Sequence, residues 1–281
     1  MYYTVEKLDG FYRVSSAENV FCYLIVGSQK AMLIDTGYGF ADLRAAVRSV
    51  TDKPLIVVNT HGHCDHAGGN ARFDELCYLH RADWALCNAH TSAQMRQGSV
   101  QRARHSIDFT TGQEYDALPA DFDPQAYCAM GTGNLSELQE GDVFELGDAV
   151  VAAYETPGHT QGGISLLYRE KNIVFTGDEA NAFLWLFAPE STDRKTHIRS
   201  LEKLRALNAV AYWGGHSPDP ARVEDIDIYI RAAREADYEK GVPFQTFIQS
   251  ESEPRVCTLD GFTIDDMFRS GFASIVISAG K

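Results

Sequence analysis

The sequence predicts a mixed α/β fold made as one domain over 1–281. Three observations carry that prediction. Two strand-rich blocks occur, helical periodicity follows each of them, and no Pro-, Gly- or charge-rich linker separates the halves.

The first block comprises 20–26 and 31–34, with Gly27 and Ser28 as the turn. After Asp35, Thr36 and Gly37, a helix fits 41–50, because Leu43, Ala46 and Val47 share one face. The apolar run 55–58 then suits a buried strand, which leaves His61 just beyond a strand end. The stretch 81–104 is helical but irregular. Residues 106–141, with Phe109, Tyr115, Phe122 and Tyr127, are polar, aromatic and aperiodic, as expected of a functional loop or lid. Together 81–141 reads as an insertion.

The second block runs over 143–176, with strands at 151–154, 164–168 and 173–175. Ile198, Leu201, Leu204 and Leu207 recur every three residues, which predicts an amphipathic helix over 194–207, followed by a strand at 210–213. A further helix fits 223–238. Residues 241–281 return to strand-like runs, at 262–264 and 273–278, and form a C-terminal extension.

A hydrophobic content of 44% with 23% charged residues is that of a chain with a substantial core. The net charge of −14 argues against polyanionic partners, and no basic tract suits nucleic acid. The start lacks a basic, apolar leader and no run of about 18 apolar residues follows, so a cytoplasmic protein without membrane association is expected. The six scattered cysteines lack a CxxC pair and read as free thiols. The sequence does not indicate an oligomeric state.

Chemistry concentrates in His61, His63, Asp65 and His66. Side chains two apart in an extended segment point the same way, so His61 and His63 can reach one cation and Asp65 and His66 its neighbour. Gly62, Gly68 and Gly69 permit the tight path that convergence requires. Two more histidines, His159 and His216, end probable strands in glycine-bearing turns, and Asp178 ends another. The remaining four, His80, His90, His105 and His197, lack such settings and are expected in surface or core roles.

In order and type, Asp35, the 61–66 cluster, His159, Asp178 and His216 resemble the motifs of the metallo-β-lactamase superfamily, over roughly 20–220. The resemblance implies a four-layer αββα sandwich and two divalent metal ions. It assigns His61, His63 and His159 to one ion, Asp65, His66 and His216 to the other, and Asp178 to both. Asp35 would fix a ligand histidine through its other ring N–H; alternatively it caps the helix near Phe40. Zinc is the default metal for hydrolysis, though iron and manganese suit the same ligands. The implied chemistry is attack by a metal-bridging hydroxide, with Asp65 and Asp178 steering its proton. Such a centre carries a net charge of about +1, which favours a small anionic substrate.

Within the superfamily, 60–66 and 158–160 look most like glyoxalase II and related thioesterases and lactonases, which implies a small ester, thioester or lactone substrate. Residues 179–187 depart from the glyoxalase II pattern. There Phe183, Trp185 and Phe187 alternate, so one face is aromatic, either a pocket wall for an acyl group or core. Cys64 lies between ligands but points away by alternation. The rival readings are a phosphodiesterase or nuclease of the same fold, a single-iron persulfide dioxygenase and a noncatalytic metal-binding protein.

Overall fold

The structure is a computed structural model that describes every residue except Met1, Phe109, Thr110, Phe247, Gln249, Glu251, Asp260 and Phe268. Its residues fall into two compact units, Met1–Ala152 with Tyr168–Lys171, and Ala153–Leu167 with Asn172–Lys281.

The first unit is built on a seven-stranded sheet. Its strands are β1 (Thr4–Lys7), β2 (Tyr12–Ser15), β3 (Phe21–Val26), β4 (Ala31–Ile34), β5 (Leu55–Val58), β6 (Cys77–His80) and, beyond the small hairpin of β7 (Ser106–Ile107) and β8 (Glu114–Tyr115), β9 (Leu135–Leu138). The first four pair antiparallel and the rest parallel. Leu24, Ile25, Met32, Leu33 and Ile34 are fully buried, which is why 21–26 and 31–34 read as unbroken apolar runs rather than alternating ones.

Five helices accompany this sheet: α1 (Leu43–Arg48), α2 (Cys64–Ala67), α3 (Trp84–His90), α4 (Ala93–Arg104) and α5 (Pro124–Cys128). Helix α1 is shorter than the expected 41–50 because Asp42 caps it, accepting the Ala45 N–H at 3.0 Å. Asp35 is therefore not the cap. The break within 81–104 is Ser92, whose hydroxyl caps α4 through the Met95 N–H.

Residues 106–141, aperiodic in sequence, nevertheless carry regular elements. They contain β7, β8 and α5, the last started by Asp123 and Pro124. They also supply β9, a parallel partner of β6 at the sheet edge. A four-residue edge strand of sequence Leu-Ser-Glu-Leu leaves too short a pattern to be read in advance. Phe109, one of the expected lid aromatics, lies outside the described residues. Tyr127 and Phe122 pack around Phe40, so those aromatics serve a core cluster.

Strand β10 (Val143–Glu145) pairs antiparallel with β11 (Val150–Glu155), within which the chain passes into the second unit. There β12 (Ile164–Tyr168) and β13 (Ile173–Gly177) follow, and β13 pairs parallel with β15 (Ala211–Gly214). A four-stranded sheet of order β14-β18-β17-β16 joins β14 (Phe183–Trp185) in parallel to β18 (Ser274–Ile277), with β17 (Arg255–Thr258) and β16 (Val242–Pro243) antiparallel beyond it.

Helix α6 (Arg194–Leu207) spans the predicted residues. Asp193 caps it through the Thr196 N–H, Asn208 ends it in the left-handed region at φ 47°, and Leu201 and Leu204 are fully buried. Helix α7 (Val223–Glu235) stops short of 238 because Ala236 turns to an extended conformation. The expected strand at 262–264 is instead a turn leading into a 3-10 segment, Ile264–Asp266, closed by Thr263 and Asp266. Among the described residues, no helix is long and apolar enough to cross a membrane.

Candidate metal centre

Each unit carries its own set of ligand-type side chains. In the first, the parallel register pairs Ile34 with Val58, so β4 and β5 end together. Asp35 follows β4 with its N–H donating to the Val58 carbonyl at 2.8 Å, and takes a left-handed φ of 62° that an aspartate tolerates. Its carboxylate faces the chain leaving β5. It accepts the Thr60 N–H at 2.7 Å, the Thr60 hydroxyl at 2.8 Å, and a bond from His66 Nδ1 at 2.8 Å.

These bonds select the histidine tautomers. A carboxylate oxygen accepts here, so His66 carries its proton on Nδ1 and its Nε2 is unprotonated. With the Thr60 hydroxyl donating to Asp35, the oxygen accepts from His61 Nδ1 at 3.2 Å, so His61 Nε2 carries no proton either. That Nε2 lies 3.1 Å from His63 Nδ1. Donor atoms of His61 with His63, of His61 with His66, and of Asp65 with His66 all fall within 4.8 Å. The donor set suits a divalent cation: imidazole lone pairs and a carboxylate brought together by bonds on their far sides.

The backbone between these ligands is held by groups outside the motif. Asp83, 1% exposed, accepts the Gly62 N–H at 2.9 Å. Asn59 and Thr36 both donate to the His66 carbonyl, and Asn70 links the two side chains. A Cβ on Gly68 or Gly69 would sit 2.2 Å from the Cys64 carbonyl or 2.3 Å from the Thr36 carbonyl, so those glycines are required by close approach. Cys64 opens α2 and is buried, its thiol pushed up to about 11 chiefly by burial. His90 stacks on His63 with ring centroids 4.9 Å apart. Sequence reasoning did not single out Asp83, Asn59, Asn70 or His90; an isolated polar residue signals its partner only after folding.

The second unit brings together His159, Asp178 and His216. Asp178 Oδ2 is the common neighbour of both histidines, 3.3 Å from His216 Nε2 and 3.7 Å from His159 Nε2, which suits a carboxylate shared between two cations. His159 Nδ1 donates to the Trp185 carbonyl at 2.8 Å, so Nε2 is again the unprotonated nitrogen. His197, assigned in advance to a surface or core role, is buried and bonded through Nδ1 to Glu179 Oε1 at 2.7 Å. Phe183, Trp185 and Phe187 surround Phe244, with centroids 5.5–6.0 Å from it. Phe187 is in the core, while Phe183 and Trp185 remain half-buried.

The model of the metallo-beta-lactamase superfamily matches residues 16–216, and the chain belongs to that superfamily of metallo-hydrolases. Its fold is accordingly the metallo-β-lactamase fold. The chain is similar to the acyl-coenzyme A thioesterase MBLAC2 of Gallus gallus, 30% identical over 180 residues that make up 60% of each chain. It thus spans about three-fifths of the length of that curated relative. The hydroxyacylglutathione hydrolase of Brucella ovis is 39% identical over 118 residues, 40% of this chain and 45% of its own. Among solved structures, the superfamily protein ST1585 from Sulfolobus tokodaii aligns with a TM-score of 0.55 at 18% identity, over 83% of this chain and 86% of its own. The sec-alkylsulfatase Pisa1 from Pseudomonas sp. aligns with a TM-score of 0.58 at 15% identity, over 82% of this chain and 40% of its own. Both show the fold alone.

Proposed function

We propose that the chain is a dinuclear zinc hydrolase of small acyl thioesters. The observation that carries this reading is the tautomer pattern: His61, His66 and His159 each have Nδ1 tied to an oxygen, which leaves Nε2 as a lone pair. Membership of the superfamily supports the ligand assignment that its motifs imply. His61, His63 and His159 hold one ion, Asp65, His66 and His216 the other, and Asp178 both. When bound, such a pair supplies a hydroxide nucleophile at neutral pH and polarises the carbonyl under attack.

The chain's own residues do the rest. Asp35 keeps His66 in the ligating tautomer and, through Thr60, does the same for His61. Asp65 and Asp178, each about one-fifth exposed or less, steer the proton of the attacking water in this reading. The similarity to MBLAC2 and to hydroxyacylglutathione hydrolase favours a thioester over an ester or lactone. Both named substrate classes are anionic, which fits a cationic cleft in a chain of net charge −14. Phe183 and Trp185 form the wall against the acyl group.

The test is a panel of acyl-coenzyme A and acylglutathione thioesters, simple esters, lactones, β-lactams and phosphodiesters, assayed with metal quantified on the same preparation. Two zinc ions per chain and a thioester turned over at least tenfold faster than the other classes are expected. One ion per chain removes the dinuclear reading, and preference for another class removes the thioester reading.

A further inference from the structure

The segment that carries His159 is held from behind by a buried carboxylate–imidazole pair outside the ligand set. Glu179 Oε2 accepts the backbone N–H of His159 at 2.8 Å, and its Oε1 bonds His197 Nδ1 at 2.7 Å. Both side chains are 3% exposed. Glu179 follows Asp178 at the end of β13, and His197 lies in the first turn of α6, so the pair ties two elements to one loop.

Gly158 shows that the carboxylate's place is built into the loop. A Cβ there would stand 2.1–2.5 Å from the Glu179 carboxyl group, so only glycine lets Glu179 lie directly beneath His159. The remaining bonds fix the loop around this contact. Ser191 Oγ donates to the His159 carbonyl at 2.8 Å, the Thr192 N–H to the Gly158 carbonyl at 2.9 Å, and Ser200 Oγ to the Pro157 carbonyl at 2.7 Å. The ring nitrogen Nδ1 is set by Trp185, whereas the peptide that aims the ring is set by Glu179.

We infer that Glu179 is a positioning residue for the His159 metal ligand, and that His197 braces Glu179. Burial of the pair is offset by three functions served at once: an acceptor for a backbone N–H that water cannot reach, an acceptor for a buried imidazole, and a fixed direction for the ligand. Loss of such a partner lowers metal affinity about 10–100-fold in characterised sites. The inference rests on His159 being a ligand.

The experiment is chelator competition on zinc-loaded full-length protein, with the absorption spectrum of the cobalt-substituted protein as second readout, for His159→Ala, Glu179→Ala, Glu179→Gln and His197→Ala. His159→Ala tests the site itself; unchanged zinc content in that variant overturns the metal-site reading. Given a loss there, Glu179→Ala is expected to weaken one of the two ions at least tenfold and to alter the cobalt spectrum. Glu179→Gln should recover most of the affinity, since its amide oxygen accepts the His159 N–H and its NH2 donates to His197 in the other tautomer. Wild-type chelator resistance and spectrum in Glu179→Ala, with only a lower melting temperature of the metal-free protein, overturns the positioning role. Should Glu179→Ala not accumulate folded, His197→Ala leaves the bond to His159 in place but unbraced. A threefold loss or more at that ion then supports the inference, and an unchanged ion overturns it.

Discussion

Asp35 lies outside the ligand set and gathers three hydrogen bonds on its carboxylate. Its carboxylate accepts from two groups of Thr60 and from His66 in a region from which water is excluded. Asp35→Ala would leave three donors unsatisfied, a loss of roughly 2–4 kcal/mol of stability. Urea denaturation of the metal-free protein measures it, and a change under 1 kcal/mol on the same scale contradicts the bonding described. The same variant should also release zinc to a chelator that wild type resists. Gly69→Ala probes a different constraint. With a Cβ 2.3 Å from the Thr36 carbonyl and only backbone to yield, it should cost about 1–3 kcal/mol although φ there is ordinary.

Helix α6 and the strand–helix packing around β6 carry predictions of their own. Leu204 is fully buried in the cluster with Leu201, Tyr212, Ile226 and Ile230, so Leu204→Ala should cost about 2–5 kcal/mol by thermal or urea unfolding. Asp193→Ala removes the α6 cap and should cost about 1 kcal/mol. Cys77 on β6 and Cys87 on α3 are each pushed up to about 12, first by burial and then by neighbouring charge. A free thiol ionises near 8.5. Because the folded state holds these protons more tightly than the unfolded chain, their contribution is complete below that value and is lost as pH rises from it towards about 12. Stability measured at pH about 8 and about 10.5 should therefore fall, and the fall should shrink in Cys77→Ala and Cys87→Ala. A pH-independent stability across that window would show the thiols are not buried as described.

At the scale of the whole molecule, the proposed metal binding would be linked to folding, because each unit gathers its ligand-type side chains only when folded. Zinc removal should lower the melting temperature and abolish turnover, with both restored by added zinc, since a ligand that binds only the folded state stabilises it by mass action. A melting temperature indifferent to zinc would mean the ligand sets do not hold it. The net charge of −14 opposes long polyanions, so duplex DNA and RNA are expected to be poor ligands even at low salt.

The sequence by itself determined the order of the candidate ligand residues, the helix over 194–207 and the apolar strand 55–58 that leads into the 61–66 cluster. Each is written in a short local pattern: spacing by two, recurrence by three, or an unbroken apolar run. It could not determine β9, which is four residues at a sheet edge, or the partners of Asp35, whose choice between capping a helix and holding His66 depends on where β4 and β5 end together. Asp83, Glu179 and His197 were equally beyond reach. Each is a single polar residue whose meaning is the hydrogen-bond partner it meets across 18 to 21 residues of chain. Tertiary structure decided these because a buried carboxylate must find its hydrogen bonds wherever the fold brings donors to it, and no local pattern records that meeting.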